Sequence, residues 1–409
     1  MEALRRLLPK PDREWVARAL TEALVRRGVE RGSIAYDPDQ YALRYGSEVS
    51  FLANLYADCC CAWPWQRRGR IERFARLRQG FATEREPFAA VRSRVLPAVR
   101  DRYMFEAVAL VARADGNRPA SHPLRPLGMR LAAGLVIDSE ESMQLVSDED
   151  LRHWGVSEDE AFVVAAGNLG RRPRNLESAG EGVYVGPWND CHVPSRLALP
   201  DLLGDVDVDG EVVAVAPNWN HLILTGANHA AGLAGAIRFA MKVTAEEPKA
   251  MSALPIVKRG GEWVTLELPR GHAVEPLLRK ARVLELSGVY ADQKQLLDRV
   301  HEREELDVYV AAYNGVRHEE TDSHSSYCVW AKGVDALLPR TEEISFFDDG
   351  QPEGRRVVGR FDWDIVELHC RELMRPTEHA LQRFRVADFP SPDQLAAMAR
   401  AQALRPARD

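Results

Sequence analysis

The chain of 409 residues is 45% hydrophobic and 28% charged, a globular composition that excludes wholesale disorder. Its net charge of −7 is uneven: residues 1–130 hold 24 Lys and Arg against 15 Asp and Glu, whereas residues 131–409 hold 30 against 46. No apolar run approaches the roughly 20 residues of a membrane-spanning helix, and Met1–Lys10 lacks the apolar stretch of a signal peptide, so a cytoplasmic protein with reduced thiols is expected.

Asp12 is placed to cap a first helix carrying Trp15, Leu20 and Leu24, with Gly28 near its end. Ser33–Tyr45 reads as two short strands around Asp37-Pro38-Asp39. From Val49 to Gln79 the pattern is helical, interrupted at Pro64, with Phe51, Leu52, Leu55 and Tyr56 as an apolar stripe. The consecutive Cys59, Cys60 and Cys61 have no zinc-ribbon spacing, and neighbours on a helix point about 100° apart, so they read as small apolar packing. Trp63-Pro64-Trp65 reads as buried rings anchoring a helix kink, with base stacking as the alternative. Arg67–Arg102 holds eleven Arg and four acids, either a solvated face with internal ion pairs or a surface for phosphate. Arg113–Pro126 reads as a linker or exposed crossing.

Leu127–Ile137 is an apolar strand candidate. Ser147 and Ser157 each open a capping pattern, the second for a helix through Ala161–Leu169. Gly182–Val185 reads as a strand and Pro194–Leu203 as a short helix. Glu211–Ala216 and His221–Thr225 form a hairpin, and Ala227–Val243 a closely packing small-residue helix. Leu254–Val257 and Trp263–Leu268 form a second hairpin about Arg259-Gly260-Gly261. Two helices are expected, around Val274–Glu285 and Tyr290–Glu304. Asp307–Tyr313 and Ser326–Ala331 read as strands joined by a polar loop, His318–Ser325. Glu343–Phe347 and Arg355–Phe361 are further strands, followed by a helix Asp362–Met374 and a last helix capped by Ser391-Pro392. The fold class is α+β, with hairpin-rich antiparallel sheets flanked by helices. Three regions follow: a helical region 1–112 with a short hairpin, a central α+β domain 127–268, and a C-terminal α+β domain 269–409 ending in a helix.

Four blocks carry a resemblance across residues 31–268. They are Met129–Asp138 with Leu145-Val146, Leu151 and Ala165–Leu169; Gly182-Val183-Tyr184 with Asn189-Asp190 and Ser195-Arg196-Leu197; Gly210–Pro217 with Leu222-Ile223-Leu224; and Ala253–Val257 with Gly261-Glu262-Trp263. In order and spacing they resemble the YtpQ-like family of uncharacterised bacterial proteins, which brings no agreed activity with it. Where relatives read Asp-Gly-Tyr-Asp-Ala-Ser-Arg, this chain has Asp190-Cys191-His192-Val193-Pro194-Ser195-Arg196, without the glycine and one acid. The C-terminal region shows no such resemblance.

Asn189, Asp190, Ser195 and Arg196 are the candidate binding residues. At a strand-to-helix junction, Arg196 and backbone N–H groups could hold an anion or carboxylate. Alternatively Asp190 or Ser195 caps the helix from Pro194, with Arg196 paired to Asp190. Cys191-His192 could form a thiol–imidazole pair, but neighbours on an extended segment face opposite ways. His318, Glu319, Glu320, Asp322 and His324 form a loop of metal-ligand types that also suits a solvated hairpin tip. His301-Glu302 lacks the second histidine of H-E-x-x-H, and Asp348-Asp349-Gly350 is a turn without calcium-loop spacing. No phosphate-loop or nucleophile-elbow motif occurs. The expectation is a non-enzymatic binding or regulatory protein acting on a protein partner, with no cofactor, no metal and no membrane. The alternatives are a nucleic-acid-associated protein using residues 67–102, and a hydrolase or transferase with a site near Asp190–Arg196.

Overall fold

A computed structural model describes residues 9–46, 48–60, 62–79, 85–139, 143–199, 206–269 and 271–405. The fold is α+β, and the chain forms two compact units assembled from interleaved stretches. The first takes residues 1–97, 135–172 and 243–250, the second residues 98–134, 173–242 and 251–409.

In the first unit, helix Arg13–Arg26 starts where Asp12 Oδ1 accepts from the Glu14 amide, and it buries Val16, Leu20 and Leu24. Strands Ile34–Asp37, Ala42–Tyr45 and Glu48–Phe51 form an antiparallel meander. The third strand corrects the expected helix from Val49: Gly46, at φ +57°, turns the chain so that Val49 pairs with Arg44. Helices Ala53–Cys60 and Pro64–Gln79 follow, and Leu55, Cys59, Ile71 and Ala75 join Leu20, Leu24 and Leu43 in one core. Pro64 begins a new helix instead of kinking one. The tryptophans flanking it are not a buried anchor: Trp65 is 73% exposed and lies stacked on Trp63, ring centroids 5.1 Å apart. Burial pushes the Cys59 thiol up to about 11, as suits a packing residue; Cys61 lies outside the described residues. Ser147 and Ser157 cap helices Asp148–Trp154 and Glu158–Leu169.

The second unit contains a six-stranded antiparallel sheet. Its spatial order is Glu262–Thr265, Ile256–Arg259, Val212–Val215, Ile223–Gly226, Val183–Val185 and Glu177–Gly180. Helix Ala230–Glu246 lies against it. Leu233 and Ile237 pack with Val213, Leu254 and Val257, and Ala236 and Ala240 pack with Val215 and Ile223. Helix Glu275–Glu304 runs unbroken for 30 residues, where two helices were expected. A mid-helix glycine costs only about 1 kcal/mol. Across Gly288 the burial of Leu286 and Tyr290 against Tyr103 and Leu381 outweighs that cost.

This unit also contains two four-stranded sheets. One orders Tyr309–Val310, Ala336–Pro339, Arg383–Val386 and Arg375–Pro376; the other orders Asn314–His318, Ser323–Ala331, Glu343–Phe347 and Val357–Asp362. Each contains one parallel pair, Tyr309–Val310 with Ala336–Pro339 and Ser323–Ala331 with Glu343–Phe347. The expected loop His318–Ser325 is a tight hairpin: His318 pairs with Ser323, and Asp322 takes φ +51°. Trp330, Ile344, Phe346, Phe361 and Trp363 fill the core beneath.

Candidate functional site

The chain leaving strand Val183–Val185 is fixed by a polar knot. Asp190 and Arg196 form a two-pronged ion pair, Nη1 to Oδ1 and Nη2 to Oδ2, each 2.9 Å. Arg196 Nη1 also donates to the His192 carbonyl at 2.9 Å, and Nε and Nη2 to the Pro173 carbonyl at 3.2 and 2.9 Å. The guanidinium lies 4.3 Å from the centre of the Trp188 ring, and the residue is fully buried. A buried arginine is tolerated only when its donors are met in this way. Burial pushes the Asp190 carboxyl up, but the hydrogen bonds and charge of Arg196, with the His192 amide, prevail and hold it below the usual carboxylate range.

The neighbouring candidates are placed differently. Ser195 is fully buried, and its Oγ accepts from the Val99 amide at 3.1 Å. Asn189 is exposed. The expected helix Pro194–Leu203 is a 3₁₀ turn, Pro194–Ala198, with no side-chain cap, and Leu199 is extended; residues 200–203 lie outside the described ones. Neither Asp190 nor Ser195 caps it; the half of that reading that pairs Arg196 with Asp190 holds. Cys191 sits at φ +58°, so the segment turns and the alternation assumed for Cys191-His192 does not apply. The four residues therefore do not converge on one opening. Asp190, Ser195 and Arg196 are engaged internally, and they pin the loop that follows the strand.

That loop adjoins a cavity of about 450 Å³ in the same unit. The sheet side is Val183, Val185 and Ile223, and the helix side is Gly232, Gly235, Ala236 and Phe239. Positions 232, 235, 236 and 239 recur at helical spacing, so small residues on one face of Ala230–Glu246 leave the space open. Two imidazoles line it, His221 and His229. His221 Nδ1 lies 2.8 Å from Asn218 Oδ1, which also accepts from the Asn220 amide, and its ring meets Phe239 edge-on at 5.3 Å. His229 sits immediately before the helix, between two glycines. A Cβ at Gly232 would fall 2.5 Å from His229 Nδ1, and one at Gly182, which has φ +62°, would fall 3.1 Å from it. Thr225 Oγ1 donates to the Gly182 carbonyl at 3.0 Å and lies 3.4 Å from His229 Nδ1.

The remaining candidates have local roles. His318 Nε2 contacts Ser325 Oγ at 2.8 Å across its hairpin, and Arg317 pairs with Asp322. Among the described residues no group of three or more His, Cys, Asp or Glu side chains is placed to hold a metal ion. Within the Arg-rich segment, Arg67 is buried and donates to the Cys59 and Pro9 carbonyls, Arg85 pairs with Glu149 and Asp150, and Arg94 pairs with Glu86. Arg68 is exposed. Sequence reading missed His221 and His229 altogether. The signal available is the spacing of His229, Gly232, Ala236 and Phe239, which on its own reads as close helix packing. No family model, no curated protein and no solved structure matches this chain.

Proposed function

We propose that this protein is a non-enzymatic binding protein, and that the cavity between Val183, Val185 and Ile223 and the glycine-bearing face of helix Ala230–Glu246 is its binding element. The observation that carries this is the cavity itself: about 450 Å³, walled by valine, isoleucine, glycine and alanine, with two histidine rings as its ionisable groups. Small-molecule sites are of this size and are mainly apolar with a few fixed polar groups. The Asp190–Arg196 knot supports the same reading, because it holds the adjoining loop with a buried, fully engaged arginine. The class anticipated from sequence, a binding protein, is kept; the ligand becomes a small molecule in place of a protein partner.

Gly235 provides the test. Gly235 lines the cavity, and a Cβ there would meet nothing within 4 Å. Titration with the neutral fluorescent probe N-phenyl-1-naphthylamine should give saturable binding at one site. Gly235→Leu should lose that binding at least about tenfold while keeping its cooperative melt. Binding that never saturates, or that Gly235→Leu leaves intact, defeats the proposal.

A further inference from the structure

We infer that the cavity selects a compact, uncharged, phenol-type molecule, whose hydroxyl donates to His229 Nε2 and whose apolar body lies along Val183, Val185 and Ile223. The inference rests on the binding reading above and names the ligand class for that site.

Thr225 is fully buried. Its hydroxyl faces the Gly182 carbonyl at 3.0 Å, and a carbonyl can only accept, so the threonine proton points there. The Thr225 oxygen is then left as an acceptor toward His229 Nδ1 at 3.4 Å. This places the proton of a neutral imidazole on Nδ1 and leaves Nε2 with its lone pair. Nothing else among the described residues pairs with this ring. The two glycines make the arrangement specific. Gly232 and Gly182 leave no room for a Cβ beside Nδ1, so the ring is held in a slot with that edge turned to Thr225. His229 lines the cavity, so with Nδ1 turned to Thr225 the ring's remaining acceptor is Nε2, and the sheet supplies a hydrocarbon wall.

A ligand that complements this needs one donor and an otherwise apolar body. A carboxylate would meet a lone pair. A hydrocarbon, or an ether of the same size, would displace solvent from the half-buried acceptor without replacing its hydrogen bond. Aromatic rings suit the open end, where Phe239 and His221 already meet edge to face.

The experiment displaces N-phenyl-1-naphthylamine with three matched compounds, 4-propylphenol, 4-propylanisole and 4-propylbenzoate, at pH 7.5. The phenol should bind about five- to tenfold more tightly than the anisole, the worth of one net hydrogen bond, and the benzoate should bind most weakly. In His229→Phe the anisole should keep its affinity within about twofold, and the phenol should lose its advantage. If that variant does not fold, Thr225→Val, which removes the group that sets the imidazole proton, should narrow the same gap. Equal binding of phenol and anisole by the native chain overturns the ligand class while leaving the cavity a binding site, and so does preference for the benzoate. Failure of all three compounds and of the probe defeats the binding reading itself.

Discussion

Arg196 and His229 lie in the same unit, yet the fold uses them in opposite ways. Arg196 directs Nε, Nη1 and Nη2 at three internal residues, Asp190, His192 and Pro173. His229 engages Nδ1 alone and turns its ring to a cavity. The stronger polar group is therefore structural, and the weaker one is the group with hydrogen-bonding capacity left for a ligand. Charge and residue type draw attention to Arg196. What decides is the number of acceptors already satisfied, and whether the glycines beside a ring leave one edge of it toward an opening.

The largest expected effect comes from breaking the first half of that contrast. Arg196→Met should strand the Asp190 carboxylate and leave the Pro173 carbonyl without its donor. Removing one member of a fully buried pair typically costs 3–5 kcal/mol, and the loss here should fall at or below the low end because the Asp190 side chain is 27% exposed. The loss should appear as a lower urea midpoint in a chemical unfolding curve, and ligand binding should fall with it, because the loop beside the cavity is no longer pinned. An unchanged midpoint would mean that the knot is incidental. By contrast His229→Phe, which alters the other half, should leave the midpoint nearly where it was.

How far the sequence carries this contrast depends on the reach of each interaction. Caps at Asp12, Ser147, Ser157 and Ser391 are set within three residues, and all four form as expected. The Asp190–Arg196 pair spans six residues and could also be anticipated. Ser195 bonds Val99, 96 residues away, and no local pattern points to that. The cavity is more remote still, since it requires Val183–Val185 to lie beside Ile223–Gly226 and a helix to cross both with glycines on one face. Local patterns also overreach. The stretch between Glu285 and Tyr290 reads as a break between two helices but is carried through by Leu286 and Tyr290, and Val49–Phe51 reads as helix but completes a meander.

A second buried arginine in this unit is used differently from Arg196. Arg130 is 4% exposed and is shared by Asp101 and Glu285, at 3.0 and 2.8 Å. Burial pushes the Asp101 carboxyl up to about 6, against the pull of Arg130 and the Tyr103 amide, with Glu285 adding to the rise. Burial thus outweighs the arginine at Asp101, whereas at Asp190 the arginine outweighs burial. The signs follow by linkage. Asp190 contributes stability that is present above the ordinary carboxylate range and is lost as pH falls through its lowered value. Asp101 contributes stability that is fully present below about 4 and is lost as pH rises through about 6. The difference in unfolding free energy between native and Asp190→Asn should therefore shrink in acid. Asp101→Asn, which keeps a capping residue at its helix start, should gain on the native chain between pH 4 and pH 7, by on the order of 2 kcal/mol. Parallel pH profiles for the two variants would show that burial does not set the Asp101 carboxyl apart from that of Asp190.

The smallest effects separate two glycines three residues apart on the cavity helix. At Gly235 a Cβ meets nothing within 4 Å, whereas at Gly232 it would stand 2.5 Å from His229 Nδ1 and 2.6 Å from Thr225 Oγ1. Replacing a mid-helix glycine by alanine is worth about 0.5–1 kcal/mol where space permits. Gly235→Ala should therefore raise the melting temperature slightly and keep the preference for phenol over anisole. At Gly232, in the first turn of the helix, any such gain is opposed by overpacking, which costs typically 1–3 kcal/mol. The atoms that must give way are the ring and the hydroxyl that fix the imidazole proton. Gly232→Ala should consequently melt no higher than the native chain and lose its discrimination between the two probes. If both alanines behave alike, the slot around His229 does not position the acceptor, and the selectivity assigned to it has to come from elsewhere on the cavity wall.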